Sequence, residues 1–186
     1  VLVSNNGRAC RFDLGSVRSQ GRVSSGVRGI RLDDDCILSG MIMAEEEEFN
    51  ETHVLTLTKQ GMGKRTILGS GMMFDSEGNE VEPGTEGAKR DGYRRVKRGG
   101  KGVRTMNFNE GDEISRVHQV PNLEDQLFLL SGKGVVIRIN AGQTKETAGR
   151  VSKGTRLMEL RAKDKSSFVD ELIYSARMPA ELAEQI

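Results

Sequence analysis

Short apolar runs broken by turn residues recur along most of this chain. Cys10, Phe12 and Leu14 fall on one side of an extended strand, because successive side chains of a strand point to opposite faces. The stretch NNG before them, residues 5–7, favours a tight hairpin turn, since Asn and Gly adopt positive φ at little cost. The pattern predicts short β-strands joined by turns, with one short helical segment over Met178–Ile186.

Three segments of the chain align with one another, which indicates an internal repeat. In each copy a strand and turn come first, and the turn glycine is followed four residues later by an arginine. Each copy then continues with the spacing R-x-x-x-G-x-R, and we call these stretches the Gly-Arg elements. They are RVSSGVR (Arg22–Arg28), RGGKGVR (Arg98–Arg104) and RVSKGTR (Arg150–Arg156).

Four apolar or alternating runs per repeat predict an all-β fold of the β-pinwheel or propeller type, built of four-stranded blades. We predict blade 1 over residues 1–52, blade 2 over 53–123, blade 3 over 124–174 and a C-terminal tail over 175–186, all in one domain. An insert at about 69–93, rich in glycine and acids, predicts a surface loop or an extra hairpin in blade 2. Because propellers close with about four to eight blades, about three blades predict a fragment of a larger pinwheel or an open arc.

Charge changes this picture through its distribution and not through its total. The net charge of +1 by itself argues against a nucleic-acid binder. Residues 1–32, however, sum to +5, residues 33–52 to −8 and residues 88–104 to +7. Since salt screens a field within about 8–10 Å, segregated cations can bind an anion in a nearly neutral protein.

The two cysteines show no metal-binding spacing and no apolar run approaches a membrane span of roughly 20 residues, so we expect a reduced, cytoplasmic setting.

The Gly-Arg elements suit a phosphate backbone. Glycine lets the chain approach closely and offers its N–H group, arginine gives a forked donor, and lysine a point charge. The alternative is a set of solvated turns that connect blades, but three copies in register favour a cationic track along one edge. The candidate DNA-binding residues are Arg22, Arg28, Lys64, Arg65, Lys97, Arg98, Lys101, Arg104, Arg150, Lys153 and Arg156.

Lys64 and Arg65 belong to a strand, as do the equivalent arginines Arg11 and Arg138. The strand arginines have two interpretations that the sequence leaves open. They face solvent on the track, or they form structural salt bridges between blades. Because Lys64 lies beside Arg65, the pattern favours phosphate contact over a structural salt bridge in the second copy.

No constellation of catalytic or metal-binding residues is evident in the sequence. The run Glu45–Glu48 is better explained as a solvated linker than as a metal site, because consecutive carboxylates point apart. QGMGKRT (Gln60–Thr66) departs from the phosphate-binding P-loop at its first glycine and after its lysine. His53 and His118 have no nucleophile in a motif context. We therefore predict no catalytic site, no metal and no cofactor in this chain.

With these residues laid out, the chain resembles the C-terminal DNA-wrapping domain of the bacterial DNA gyrase A subunit, through SGVRGIRL (Ser25–Leu32) and LTKQGMGKRT (Leu57–Thr66). The resemblance implies a β-pinwheel whose blades exchange strands and whose basic rim bends duplex DNA without sequence preference. It implies a parent ATP-dependent topoisomerase, an isomerase, that uses ATP and magnesium elsewhere and introduces negative supercoils. The implied partners are duplex DNA, the remainder of the gyrase A subunit and the gyrase B subunit, in the bacterial cytoplasm with the nucleoid and not at a membrane.

One departure from the family concerns its basic signature heptapeptide, QRRGGKG, which usually lies in the first blade. Here VKRGGKG (Val96–Gly102) matches five of the seven positions and lies in the middle repeat, with Val96 and Lys97 replacing Gln and Arg. Two alternatives follow. One is a topoisomerase IV type of protein that binds DNA but wraps it weakly. The other is a protein-interaction propeller with the acidic loops as its surface.

Overall fold

The computed structural model describes residues 1–147 and 151–185, and over these residues the chain is almost entirely β. Three short 3-10 turns, Leu14–Ser16, Glu46–Glu48 and Ala141–Gln143, lie between strands, and one helical turn, α1, spans Ala180–Ala183. The strands are β1 (Leu2–Ser4), β2 (Arg8–Cys10), β3 (Leu38–Met41), β4 (His53–Thr58), β5 (Met62–Ile67), β6 (Met73–Phe74), β7 (Lys89–Arg90), β8 (Val103–Arg104), β9 (Ile114–Val120), β10 (Gln126–Ser131), β11 (Val136–Asn140), β12 (Thr155–Arg156) and β13 (Leu172–Met178).

Three antiparallel blades confirm the predicted propeller-like class, and their strands are exchanged between repeats. Blade 1 has the order β3-β1-β2-β8, blade 2 the order β9-β4-β5-β12, and blade 3 the order β13-β10-β11. The outermost strand of blade 1 thus comes from the second Gly-Arg element, and that of blade 2 from the third. The sequence predicts four strands within each repeat, whereas each repeat supplies three strands to its own blade, and the second and third repeats each lend a fourth to the blade before them.

Glycine makes this exchange possible. Gly102 and Gly154 come immediately before the exchanged strands β8 and β12, and their φ values are +71° and +72°. A Cβ atom on Gly102 would overlap the carbonyl group of Ala9, and one on Gly154 would overlap that of Gly63. Since only glycine combines this φ with this close approach, the glycine of each element fixes where its strand docks.

Two hydrophobic cores lie between successive blades. The first, which includes Val54, Tyr93 and Met106, joins blades 1 and 2, and the second, which includes Leu55 and Leu129, joins blades 2 and 3. All six residues of β4 are buried, because the middle blade is covered on both faces. In β10 buried and partly exposed residues alternate, because blade 3 is covered on one face only.

The two edges of each blade are formed by different kinds of strand. β3, β9 and β13 pack beside one another at one end, where Ser39 Oγ donates to the Ile114 carbonyl oxygen (2.9 Å) and Ser115 Oγ to that of Leu172 (2.8 Å). The exchanged strands β8 and β12 lie at the other end of their sheets. The Gly-Arg elements therefore occupy the outer edge of the arc of blades.

The insert and the tail differ in detail from their predicted forms. Within the insert, β6 and β7 form a small antiparallel hairpin, as one of the two predicted alternatives has it. Strand β13 continues to Met178, past the predicted end of blade 3 at residue 174, because its residues up to Met178 pair with β10 as far as Gln126. The helical part of the tail is accordingly only the turn Ala180–Ala183.

Candidate nucleic-acid interface

The Gly-Arg elements contact one another in order along the outer edge. The backbone N–H of Arg31 donates to the Gly100 carbonyl oxygen (2.9 Å), and that of Asn107 donates to the Ser152 carbonyl oxygen (3.1 Å). These bonds join equivalent positions, since Gly100 and Ser152 both lie two residues before the element glycine. We call the joined surface the basic track, with the bounds Arg22–Arg31, Lys97–Asn109 and Val151–Arg156.

The middle of the track holds the densest charge. Lys97, Lys101 and Arg104 are exposed, whereas Arg98 is half-buried. Arg98 donates from Nε to the Ser16 carbonyl oxygen (3.0 Å) and from Nη1 to the Arg28 carbonyl oxygen (2.6 Å). Arg98 therefore fastens the first element against the second, in addition to adding charge.

Acidic and amide groups hold several track cations in place. Lys101 Nζ lies 2.5 Å from Asp33 Oδ1, and this hydrogen bond holds the pKa of the Asp33 carboxyl below its usual range. Lys153 Nζ donates to Asn109 Oδ1 (3.1 Å) and Arg104 Nη1 to Asn107 Oδ1 (3.2 Å). The two neutral amides orient Arg104 and Lys153 without reducing their charge, whereas the Asp33 carboxylate partly neutralises Lys101.

Arg156 is held differently. It lies 3.3 Å from Glu159 Oε1, and its guanidinium carbon lies 5.8 Å from the centre of the Phe168 ring. Glu159 is shared with Arg161, whose hydrogen bond is the main reason that the pKa of Glu159 falls to about 2. Arg156 is therefore partly neutralised at the end of the track.

Arg22 and Arg28, the first-element cations, are exposed, and so is Lys97. Among the described residues none of these three side chains has a hydrogen-bond or ion-pair partner. These three side chains are therefore free to meet a ligand. Arg150, the predicted counterpart of Arg22 and Arg98, lies outside the described residues.

Lys64 and Arg65 are not on the track, which corrects the prediction that they contact phosphate. Lys64 is 0% exposed, and only 11% of the Arg65 side chain is exposed. The segment Lys145–Thr147 of the third repeat covers this edge of β5, and Arg65 donates to the Thr144 carbonyl oxygen (2.8 Å) and to Glu146 Oε2 (2.7 Å). Of the two interpretations of the strand arginines, the structural one is right for Arg65.

Arg11 has the same structural role one blade earlier. Its Nη1 donates to three carbonyl oxygens, including that of Gly69 at 2.7 Å, and its guanidinium lies 4.3 Å from the centre of the Phe49 ring. Arg138, the third member, is exposed, because within the described residues no following blade covers it. The arginine at this position is thus buried and bonded to the following repeat in blades 1 and 2, and exposed on the surface in blade 3.

Two further cations, Arg31 on the track and Arg8 beside it, are missed by reasoning from the repeat alone. Arg31 is exposed, and the equivalent positions in the other two repeats hold Asn107 and Glu159. Because the arginine is not repeated, comparison of the repeats does not single it out. Arg8 lies directly opposite Arg104 in the pairing of β2 with β8. Like charges opposite one another destabilise a sheet, and a bound anion would relieve this repulsion. A search for cations beside each turn glycine would have found Arg8.

Two further searches of the described residues bear on other kinds of site. Over residues 1–147 and 151–185, no group of three His, Cys, Asp or Glu side chains is arranged to hold a metal ion. Among the same residues, no helix is long and apolar enough to cross a membrane.

These features define a class: a repeat protein of the β-propeller kind whose blades exchange strands and whose outer edge is cationic. Its family follows from comparison with known proteins. The model of the family described as DNA gyrase C-terminal domain, β-propeller, matches residues 1–41, 52–66, 89–121 and 125–167. The chain belongs to this family. The matched ranges leave out residues 67–88, most of the predicted insert.

Relatives and solved structures agree with this assignment. The DNA gyrase A subunit of Haloquadratum walsbyi is 31% identical over 171 residues, which cover 91% of this chain and 17% of that protein. The DNA gyrase A subunit of Deinococcus deserti is 30% identical over 169 residues, covering 88% and 18%. This chain therefore spans less than a fifth of the length of these relatives.

The fold is shared with two solved domains. The C-terminal domain of DNA topoisomerase IV superposes with a TM-score of 0.71 at 19% identity, covering 97% of this chain and 46% of that one. The E. coli ParC C-terminal domain superposes with a TM-score of 0.61 at 14% identity, covering 96% and 61%. At such identities the likeness concerns the fold alone.

Proposed function

We propose that this chain binds duplex DNA through the phosphate backbone and bends it along the basic track, as part of a gyrase-type topoisomerase. The supporting observation is the contact between successive Gly-Arg elements on the outer edge, which makes separate clusters into a continuous surface. Exposed cations there include Arg28, Lys101 and Lys153, one from each repeat. Backbone contacts of this kind carry no base specificity.

Bending is part of the proposal because the track follows an arc of blades. Smooth bending of a short DNA site costs about 1–6 kcal/mol, and distributed phosphate contacts must offset this. Cations repeated in each blade provide such contacts at regular intervals. In the whole protein, we propose that the bent DNA serves negative supercoiling with ATP and magnesium supplied elsewhere, and that the gyrase B subunit and the remainder of the gyrase A subunit are partners in the cytoplasm.

The test is a DNA-binding titration at several salt concentrations. If about six track cations contact phosphates, log K falls against log[salt] with a slope of about −5. Unrelated duplex sequences should bind equally, and EDTA or ATP should change nothing. Affinity that is independent of salt, or a protein ligand that duplex DNA does not displace, would instead favour the interaction-propeller alternative.

Charge reversal locates the binding surface. The double variant Arg28→Glu with Lys101→Glu should weaken binding evenly across sequences and make the slope shallower by about one to two, since Lys101 is shared with Asp33. Lys89→Glu is the matched control, because it reverses one exposed charge on the insert hairpin, away from the track. Equal losses in the double variant and the control would exclude the basic track as the binding surface.

A further inference from the structure

Two arginines lie side by side on blade 1, at the first junction between repeats, where β8 docks on β2. Arg8 of β2 is directly opposite Arg104 of β8. The Thr105 N–H donates to the Gly7 carbonyl oxygen (2.8 Å), which makes Arg8 and Arg104 a non-hydrogen-bonded pair. In such a pair the Cα atoms are about 4.5 Å apart, and the two side chains are close together. Both side chains point away from the core, because Ala9, the next residue of β2, is buried.

The charges of this pair are not neutralised by direct partners. Over the described residues 1–147 and 151–185, neither guanidinium forms an ion pair, and the Arg8 side chain has no hydrogen-bond partner. Arg104 donates to the neutral side chain of Asn107 (3.2 Å). Like charges directly opposite one another destabilise a sheet. The first junction therefore contains a repulsion that a bound anion would remove.

The second junction, where β12 docks on β5, shows that strand exchange does not need an arginine at this position. Counting from the turn glycines Gly7 and Gly61, Met62 is the equivalent of Arg8. Met62 lies opposite Arg156, in the same register as the first junction. An uncharged side chain is therefore sufficient for the pairing, and Arg8 has a role other than docking the strand.

A carboxylate of the chain itself lies beside these cations. Asp33 accepts from Lys101 Nζ at Oδ1 (2.5 Å) and from Asn6 Nδ2 at Oδ2 (3.2 Å). Lys101 is the main reason that the pKa of the Asp33 carboxyl is below its usual range, and the charge of Arg8 lowers it further. At the second junction the residue equivalent to Asp33 is the neutral Asn109. Of the two junctions, the one with the additional arginine is therefore also the one with a carboxylate.

We propose that Arg8 and Arg104 bind one phosphate group between them, and that the Asp33 carboxylate holds its place when no phosphate is bound. Arginine presents parallel N–H donors that match the oxygens of a phosphate. The Asp33 side chain is 40% exposed, so it has room to turn away into solvent when a phosphate arrives. The inference rests on the proposed function, in which the phosphate belongs to the DNA backbone, and free inorganic phosphate has the same chemistry.

Such a site couples anion binding to the stability of the first junction. A ligand that binds the folded chain and not the unfolded chain stabilises the folded state. A phosphate between Arg8 and Arg104 also removes the repulsion across β2 and β8, so it strengthens the docking of β8 on blade 1. DNA bound at this site therefore fastens the second repeat to the first.

The first experiment is thermal unfolding of the full 186-residue chain in inorganic phosphate and in chloride at equal ionic strength. At a phosphate concentration of about five times its dissociation constant, the unfolding midpoint should rise by about 2–4 °C. Arg8→Met, which copies Met62 of the second junction, should fold and lose this rise. Arg138→Met is the matched control, because it removes an exposed arginine from β11 and should keep the rise.

Asp33→Asn tests whether the carboxylate holds the place of the phosphate. The variant should reach its half-maximal rise at a phosphate concentration about two- to tenfold lower, because no anion has to be displaced. The double variant Arg8→Met with Asp33→Asn reproduces the residues of the second junction and should show no rise. An unchanged phosphate response in Asp33→Asn would overturn the role of the carboxylate.

Binding of duplex DNA, followed by fluorescence anisotropy, separates the backbone phosphate from free phosphate as the ligand. Arg8→Met should weaken DNA binding about three- to tenfold and make the salt slope shallower by about one, whereas Arg138→Met should change neither. Native DNA affinity in Arg8→Met would overturn the assignment of the site to the DNA backbone.

The phosphate response decides the site independently of DNA. A native chain without a rise in phosphate, or a rise that persists in Arg8→Met, would overturn the phosphate site and leave the proposed DNA binding intact. A chain that binds no DNA, but whose rise in phosphate is lost in Arg8→Met, would instead overturn the proposed function and support an oxyanion site.

Discussion

The cations of the basic track differ in what holds their side chains, and this decides what each contributes. Arg22, Arg28 and Lys97 are free to meet a phosphate, whereas Lys101 is held by Asp33 and Arg98 by backbone carbonyl groups. The sequence pattern predicts all of these as equivalent binding residues. It cannot separate them, because their partners come from other repeats and become neighbours only when blades pack.

Asp33 is predicted to compete with DNA for Lys101. Asp33→Asn should raise DNA affinity about two- to tenfold, since one more cation becomes available to release counterions. Fluorescence anisotropy at a fixed salt concentration measures this. Asp164→Asn is the control, because Asp164 is an exposed carboxylate whose hydrogen bonds stay within its own turn. Unchanged or weaker binding by Asp33→Asn would contradict the competition.

Arg65 is predicted to matter for stability and not for DNA. Arg65→Met removes the bonds to Thr144 and Glu146 and leaves a carbonyl group unpaired, so it should lower the free energy of unfolding by about 1–3 kcal/mol. Arg138→Met, at the equivalent but exposed position, should change stability by less than about 0.5 kcal/mol. Chemical denaturation measures both. A loss of DNA affinity in folded Arg65→Met would show that Arg65 contacts DNA after all.

Strand periodicity predicts the elements well and their partners poorly. β9 falls inside the predicted range of blade 2, and the insert forms one of its two predicted structures. The exchange of β8 and β12 between repeats is not visible in the sequence pattern, because alternation sets which face of a strand is buried but not which strand lies beside it. Gly102 and Gly154 give a partial signal, because the lack of a side chain at these positions indicates that another backbone comes close. The sequence does not show which strand that backbone belongs to.

The contact between β9 and β13 is predicted to weaken in mild acid. His118 Nε2 and Ser175 Oγ are hydrogen-bonded at 2.6 Å, and burial, aided by Arg177 and Arg116, lowers the pKa of His118 to about 4. Because the unfolded chain takes up the proton first, near its ordinary pKa of about 6.5, stability is full above that pH and falls as the pH drops towards 4. The loss should reach about 3 kcal/mol at most.

Denaturation at a series of pH values checks this, with His118→Gln as the comparison. Glutamine keeps a hydrogen-bonding group for Ser175 and removes the titration. The difference in unfolding free energy between the two proteins should therefore change between about pH 6.5 and 4. A constant difference across that range would rule out His118 as the source of the acid sensitivity.

In the folded molecule, basic segments that are far apart in the sequence lie side by side on one surface. The track segments 22–31 and 97–109 come together on the outer edge, and the net charge of +1 conceals this surface. The repeat predicts the track because equivalent residues of successive blades occupy equivalent places. What it could not predict is that Arg65, in equally regular register, and its neighbour Lys64 are buried when the following repeat packs against them.

DNA that follows all three elements must curve with the arc of blades, and a change in DNA linking number measures this. The chain is added in excess to nicked plasmid, the nick is sealed, and the topoisomers are separated after the protein is removed. The native chain should shift the distribution relative to protein-free plasmid. Arg28→Glu, Lys101→Glu and Lys153→Glu together, one reversal in each repeat, should abolish the shift. An unshifted distribution at saturating native protein would contradict bending along the basic track and leave only simple binding.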